Sequence, residues 1–233
     1  MPSPLKRTLR EAFIATTPVM AGYVVLGMGF GVLLSTKGYG PLWALAMSGF
    51  IYAGSMQYLT IDLLTGGASL ITAALTTLLV NARHLFYGIS MVEGYRGMGR
   101  KKPYAIFALT DETYSLVCQD SHPTKEARHR FAFWVSLMDQ IWWITGSLLG
   151  SLLGQIIPFD VTGIDFSLTA LFVAVFIEQW LSTKDHVAAV IGVAASVVCL
   201  MIFGADSFLI PAMISILAAL TVLRHIRKED AHA

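Results

Sequence analysis

Near the middle of an otherwise apolar stretch, Ala68 to Val92, stand Asn81, Arg83, His84 and Tyr87. Helical spacing sets Asn81 and His84 on one face and Arg83 and Tyr87 on another. A guanidinium stays charged at any physiological pH, whereas an imidazole exchanges its proton near neutrality, so one group can hold a carboxylate and the other a proton. Placing Arg at the centre of a bilayer costs about 2.5–3.5 kcal/mol on insertion scales, which demands a partner or a water-filled cavity. A transport or relay site is the default reading; the plainer alternative is an ion pair that ties helices together.

The counter-charges on offer are Asp111, Glu112, Asp139 and Glu178, of which Asp111 and Glu112 form the one adjacent pair. If one of that pair meets Arg83, the other, buried beside a like charge, suits a proton-coupling carboxylate. Alternatively Thr110 caps an interfacial helix whose first turn carries both acids. Gly54-Ser55-Met56-Gln57-Tyr58 interrupts an apolar helix with two small residues and then an amide. Such a break can turn helix N-terminal amides toward an anionic group, or let two helices pack closely. Glu178 sits about one and a half turns from the polar loop Lys184 to His186, where it faces a pathway or snorkels to the surface. Asp139-Gln140 poses the same choice, and Trp142, Trp143, Trp180, Tyr23 and Phe30 read as packing residues or interfacial anchors.

The elements that position these groups follow from composition. With 55% hydrophobic and 13% charged residues and a mean hydropathy of +0.66, the chain is far more apolar than a soluble domain. It reads as an all-α integral membrane protein. A net charge of +1, with Lys and Arg in short clusters, offers no footprint for nucleic acid. There is no HExxH, GxSxG or P-loop, and His84 beside Arg83 lacks the clustered ligands of a metal site, so no enzyme, metal or cofactor is expected. Cys118 and Cys199, in apolar surroundings and without CxxC or CxxH spacing, read as packing residues.

Stretches of about 20 apolar residues suit spans at roughly 16–36, 42–64, 68–92, 131–156, 166–183, 186–204 and 207–223, a bundle of about seven. Residues 1–15 read as a surface amphipathic segment, 16–223 as the transmembrane domain and 224–233 as a cytoplasmic tail. The segment Pro103 to Gln119 is short and flanked on both sides by basic clusters, Arg96–Lys102 and Lys125–Arg130, which suits a re-entrant or tilted path. The last four spans place Arg224, Arg227 and Lys228 in the cytoplasm and Asp160, Asp165 and Asp206 outside. The first half conflicts: three full spans from a cytoplasmic Lys6/Arg7/Arg10 leave Arg96–Lys102 on the wrong side. Either the N-terminus is outside, or one early segment breaks and turns back, with Gly54-Ser55 or Asn81–His84 as the hinge. Residues 16–92 and 131–204 echo one another, which is either a chance likeness between apolar helices or a three-plus-three repeat with broken helices joined by 93–130, inverted if the N-terminus is outside.

Four motifs in order, Phe50-Ile51-Tyr52-Ala53-Gly54-Ser55-Met56-Gln57, Asn81-Ala82-Arg83-His84-Leu85-Phe86-Tyr87-Gly88, Leu109-Thr110-Asp111-Glu112-Thr113-Tyr114 and Phe176-Ile177-Glu178-Gln179-Trp180, resemble the AzlC-type family, the large subunit of branched-chain amino-acid exporters. The likeness runs from Pro18 to about Leu223; Met56 and Ala82 depart from the usual pattern, which bears on pocket shape. The resemblance implies export of valine, leucine and isoleucine, with methionine as a further candidate, from the bacterial cytoplasm across the inner membrane by proton antiport. It also implies a small hydrophobic AzlD-type partner. On that reading Arg83 or the break at Gly54-Ser55 takes the substrate carboxylate, with Gln57, Asn81 and Tyr87 beside them. Asp111, Glu112 or Glu178 takes the ammonium, and His84 or the second carboxylate carries the proton. The rival is a channel-like or regulatory membrane subunit without carrier activity.

Overall fold

The computed structural model describes residues 4–156, 166, 169–170, 173, 176–177, 180–181, 183, 185–204 and 208–230, and among them every regular element is a helix. Expectations that rest on Glu178, Lys184, Asp160, Asp165 and Asp206 lie outside the described residues. The chain forms two compact units, Met1–Leu168 and Thr169–Ala233.

The first unit is organised by two long helices, α1 (Pro4–Thr36) and α8 (Lys125–Ile156). Glycines four apart on each, Gly27 and Gly31 against Gly146, Gly150 and Gly154, remove the side chains that would hold the backbones apart. A Cβ at Gly150 would lie 2.1 Å from the Met28 carbonyl oxygen, and one at Gly31 would lie 2.1 Å from that of Ser147. The order of contacts gives the direction. Ala12 clusters with Phe131 and Val135, while Gly146 meets Tyr23 and Val24, Gly150 meets Met28, and Gly154 meets Val32 and Ser35. Residue numbers climb together, so α1 and α8 run parallel. An inverted relation between these two helices, the form a repeat takes if the N-terminus is outside, would set them antiparallel, and this pair is not so related.

α1 crosses the expected boundary at residue 15 without interruption, carrying Pro18 within it. Thr8, Ala12 and Thr16 are buried, while Leu5, Phe13 and Ile14 are exposed. The amphipathic stripe is therefore present, but its polar and small side faces the bundle.

Between the long helices come three pairs of half-helices. α2 (Pro41–Phe50) is followed by α3 (Gly54–Thr65), α4 (Leu70–Val80) by α5 (Ala82–Met91), and α6 (Lys102–Phe107) by α7 (Asp111–Cys118). The span expected at 42–64 is thus broken just before Gly54, where Tyr52 takes a left-handed φ of 41°, and the span at 68–92 is broken at Asn81, which caps both neighbours. Pro41 opens α2 at its first turn, where its missing N–H has no intrahelical role. Ser69 caps α4 by accepting from the Thr72 amide, and Thr110 caps α7 by accepting from the Thr113 amide.

Three contacts tie the ends together. His122 bonds to Glu11 at 3.0 Å, His129 bonds to the Gly94 carbonyl at 3.0 Å, and Lys101 lies 4.7 Å over the Phe133 ring. The start of α1, the loop after α5 and the start of α8 therefore share one end, with the basic clusters of all three. Three full crossings before residue 93 would put Gly94 at the opposite end. The first half instead returns to where it began, which selects the broken-segment alternative over an N-terminus on the far side.

Beside an apolar core, the unit buries many polar side chains and leaves large apolar ones exposed. Ser48, Ser55, Gln57, Thr113, Ser136, Asp139 and Ser147 are buried, whereas Leu42, Phe50, Leu70, Ile71 and Ile156 are each more than 70% exposed. Leu5–Thr36 is the one helix among the described residues long and apolar enough by itself to cross a membrane.

In the second unit, α9 (Val187–Phe203) packs on α10 (Leu209–Asp230). α10 runs through the expected tail boundary at residue 224. Cys199 is buried here, as a packing residue should be, but Cys118 at the end of α7 is exposed. The Trp180 and His186 rings stack at 4.0 Å, beside a cavity of about 720 Å³ lined by apolar side chains with Thr183, Asp185 and Ser196.

Candidate functional site: a polar centre at the helix breaks

The half-helices of the first unit end where the polar side chains collect. Arg83, in the first turn of α5, lies 2.6 Å from Asp111, the first residue of α7, through Nη1 and Oδ2. Its Nη2 donates to Ser55 Oγ, at the start of α3, at 3.1 Å. Both members of the pair are half-buried, with 36% and 26% of their side chains exposed. The ion pair thus joins three helix starts, and helix starts are where negative charge is favoured by the unpaired backbone amides. That accounts for the acid at the start of α7.

Several polar atoms in this group have no hydrogen-bond partner among the described residues: Arg83 Nε, Asp111 Oδ1 and Asn81 Oδ1. One is a donor with positive charge, and the other two are acceptors. Tyr87, a turn after Arg83, stands beside Asp111. Its ring stacks on Tyr114 at 4.7 Å and meets the His84 ring edge-on at 6.0 Å. His84 is turned back on its own helix start, with Nδ1 3.2 Å from the Asn81 carbonyl.

Glu112 points elsewhere. Its Oε2 accepts from the Tyr23 hydroxyl of α1 at 2.6 Å, and Tyr23 also lies 2.7 Å from Thr110 Oγ1. Thr110 is 3.1 Å from Thr113 Oγ1, and Thr113 donates to Asp139 Oδ2 of α8 at 2.7 Å. Asp139 is wholly buried, and its Oδ1 has no partner among the described residues. Thr110 thus caps the helix, and the two acids of its first turn make separate polar contacts, Asp111 with Arg83 and Glu112 with Tyr23.

A third set of bonds braces the break between α2 and α3. Gln57 accepts from the Trp143 indole at 2.8 Å and donates to Ser48 Oγ at 3.2 Å. Gln140 accepts from the Tyr104 hydroxyl at 2.7 Å and donates to the Gly49 carbonyl at 3.1 Å, a backbone group left over where α2 ends. Gly54 lets the Trp143 ring pass: a Cβ there would meet Cη2 at 3.0 Å. Gly54 and Gln57 thus hold Trp143, and the amide of Gln57 is occupied on both sides. Trp143 and Phe30 are core residues, as expected of packing aromatics.

Of the residues singled out in the sequence, Ser55, Arg83, Tyr87 and Asp111 come together in one group, with Asn81 and His84 at the helix break beside it. Glu112 belongs to a neighbouring group with Tyr23, Thr113 and Asp139. The signal for Asp139 was visible as a lone acid midway along an apolar helix, but nothing local showed its hydroxyl partners. Among the described residues no group of three or more His, Cys, Asp or Glu is placed to hold a metal.

Half-helices that stop inside an apolar bundle and close on hydrogen-bonded, ion-paired side chains define an α-helical protein of the broken-helix class. The chain belongs to the AzlC family: the model described as AzlC protein matches residues 18–157, which contain the whole polar centre. It is similar to the branched-chain amino acid transport protein AzlC of Bacillus subtilis, with 42% identity over 92% of this chain and 85% of that protein. An uncharacterized membrane protein of Helicobacter pylori is 39% identical over 94% of this chain and 96% of its own length. The inner membrane protein YgaZ of Escherichia coli is 27% identical over 84% of each. No solved structure matches the chain significantly.

Proposed function

We propose that this chain is a multi-pass protein of the bacterial cytoplasmic membrane and the large subunit of a secondary-active exporter of branched-chain amino acids. The exposed apolar side chains and buried polar ones suit lipid around the bundle and a hydrophilic path within it. Broken helices of the first half, rather than seven unbroken spans, form the path. The relative from Bacillus subtilis is named for the same substrates.

One observation carries the reading: among the described residues, Arg83 Nε and the Oδ1 of its ion-pair partner Asp111 stand buried without hydrogen-bond partners, as does Asn81 Oδ1 at the helix break two residues before Arg83. An amino-acid zwitterion crossing lipid needs its carboxylate and its ammonium matched, and its branched side chain needs only an apolar wall. Arg83 with Ser55 takes the carboxylate, Asp111 and Asn81 take the ammonium, and Tyr87 bounds the pocket. Gly54 and Gln57 keep the break in shape through Trp143. Arrival of the substrate competes with the 2.6 Å ion pair, which frees the Asp111 side of the centre. Coupling is antiport against protons, with Glu112 and His84 as titratable neighbours. A small hydrophobic AzlD-type subunit completes the carrier.

Counterflow tests it. In proteoliposomes containing the chain and its co-purifying partner, preloaded valine accelerates entry of labelled valine, and Arg83→Ala abolishes that exchange while the partner still co-purifies. A flux that neither saturates nor exchanges would identify the rival channel-like subunit.

A further inference from the structure

Four hydrogen-bond links run without a gap from one carboxylate to another: Glu112 to Tyr23, Tyr23 to Thr110, Thr110 to Thr113 and Thr113 to Asp139, at 2.6, 2.7, 3.1 and 2.7 Å. They join α1, the cap of α7, α7 itself and α8. The three hydroxyls between the acids supply three protons for four links. A carboxylate can only accept. With both acids ionised, therefore, one link must lack a hydrogen, and two oxygens face each other unbridged. One additional proton, on either acid, completes the row.

We propose that Glu112, Tyr23, Thr110, Thr113 and Asp139 form a relay that holds one mobile proton, and that Asp139 is its inner terminus. The proposal deepens the reading of the chain as a proton-coupled carrier and rests on it for the purpose of the proton. With the extra proton on Glu112, each hydroxyl points toward Asp139. Transfer breaks the O–H bond of Glu112 and forms one on Tyr23, as Tyr23 passes its own hydrogen to Thr110, Thr110 to Thr113, and Thr113 to Asp139 Oδ2. Four O–H bonds break and four form, Glu112 ends as a carboxylate and Asp139 as an acid, and each hydroxyl has reversed. The heavy atoms need not move.

The two ends differ as a relay requires. Glu112 is partly exposed and next in sequence to Asp111 of the ion pair, whereas Asp139 is fully enclosed. The groups that face Asp139 are Thr113 and Glu112 of α7, Tyr52 at the break after α2 and Tyr104 of α6. Among the described residues none that pairs with it is a cation. Its Oδ1, without a hydrogen-bond partner among the described residues, leaves a place for the proton to depart, and the buried Tyr52 is among the groups near Asp139.

Two measurements decide it. Infrared difference spectra of the purified full-length protein across a pH change should show one carboxylic-acid C=O stretch that alters in both Asp139→Asn and Glu112→Gln, because the two acids share the proton. A band insensitive to Asp139→Asn overturns the relay, whatever transport does. In proteoliposomes with the co-purifying partner, the ratio of pH-gradient-driven valine uptake to valine counterflow should fall at least tenfold in Tyr23→Phe and in Thr113→Val. These substitutions remove one hydroxyl each and keep the bulk. Unchanged ratios overturn the relay; a wild-type protein that carries no valine yet shows the shared band removes the carrier reading and leaves the relay standing.

Discussion

Gly150 of α8 and Met28 of α1 meet backbone against backbone, so closely that a Cβ on the glycine would stand 2.1 Å from the Met28 carbonyl oxygen. This approach fixes the depth at which α8 presents Asp139, Gln140 and Trp143 to the half-helices. Gly150→Val should destabilise the protein by about 3 kcal/mol or more, since the obstacle is backbone and cannot swing aside. Gly22, on the exposed side of α1 with nothing near its Cβ position, is the contrast: Gly22→Ala should stabilise by about 0.5–1 kcal/mol through helix propensity. Thermal unfolding of both variants in the same detergent checks the pair of outcomes.

The Arg83–Asp111 bridge should carry a measurable coupling. Both side chains are half-buried, so its worth lies between that of exposed and buried pairs, about 1–2 kcal/mol after solvent screening. A double-mutant cycle of Arg83→Ala and Asp111→Ala on unfolding free energy gives the value. Arg83→Lys should restore part of the stability and little of the exchange, because an ammonium cannot serve Ser55, Asp111 and a substrate carboxylate with a planar fork.

Gln57 should behave as a brace. Gln57→Ala leaves the buried indole N–H of Trp143 without its acceptor at 2.8 Å, which costs about 1–3 kcal/mol beyond the lost packing. A lowered melting temperature together with a changed tryptophan emission would confirm it. A silent substitution would mean that the amide does not hold the ring.

The bond between the start of α1 and the loop before α8 should depend on pH. His122 touches both Glu11 and Asp120, and the Glu11 contact, followed by Asp120, lifts the imidazole above its ordinary 6.5 against the opposing effect of burial. A raised value means that the folded state holds the proton more tightly than the unfolded chain. The contribution is therefore complete below 6.5 and disappears as pH climbs through the higher folded value. Wild-type melting temperature should fall over that window, and His122→Gln should flatten the fall. An equal slope in both proteins would assign the dependence to other groups.

Much of this was legible from residue order alone. The apolar composition gave the helical membrane class, and the polar interruption at Asn81–His84, the small pair Gly54-Ser55 and the cap at Thr110 each act within a turn or two of chain, and each marks a helix break where the structure has one. Local sequence could also show that an intramembrane Arg needs a partner, because the cost of burying it alone is independent of the fold.

What only tertiary structure decided was which acid meets which group. Asp111 and Glu112 are neighbours, but successive helical residues point about 100° apart, so the docking angle of α7 sends one carboxylate to Arg83 and the other to Tyr23. The parallel course of α1 and α8 was equally beyond local reach. Connectivity permits either direction, and the choice falls to glycines that match only in register. The same is true of the hydroxyl row ending at Asp139, whose members come from three helices and meet because those helices cross there.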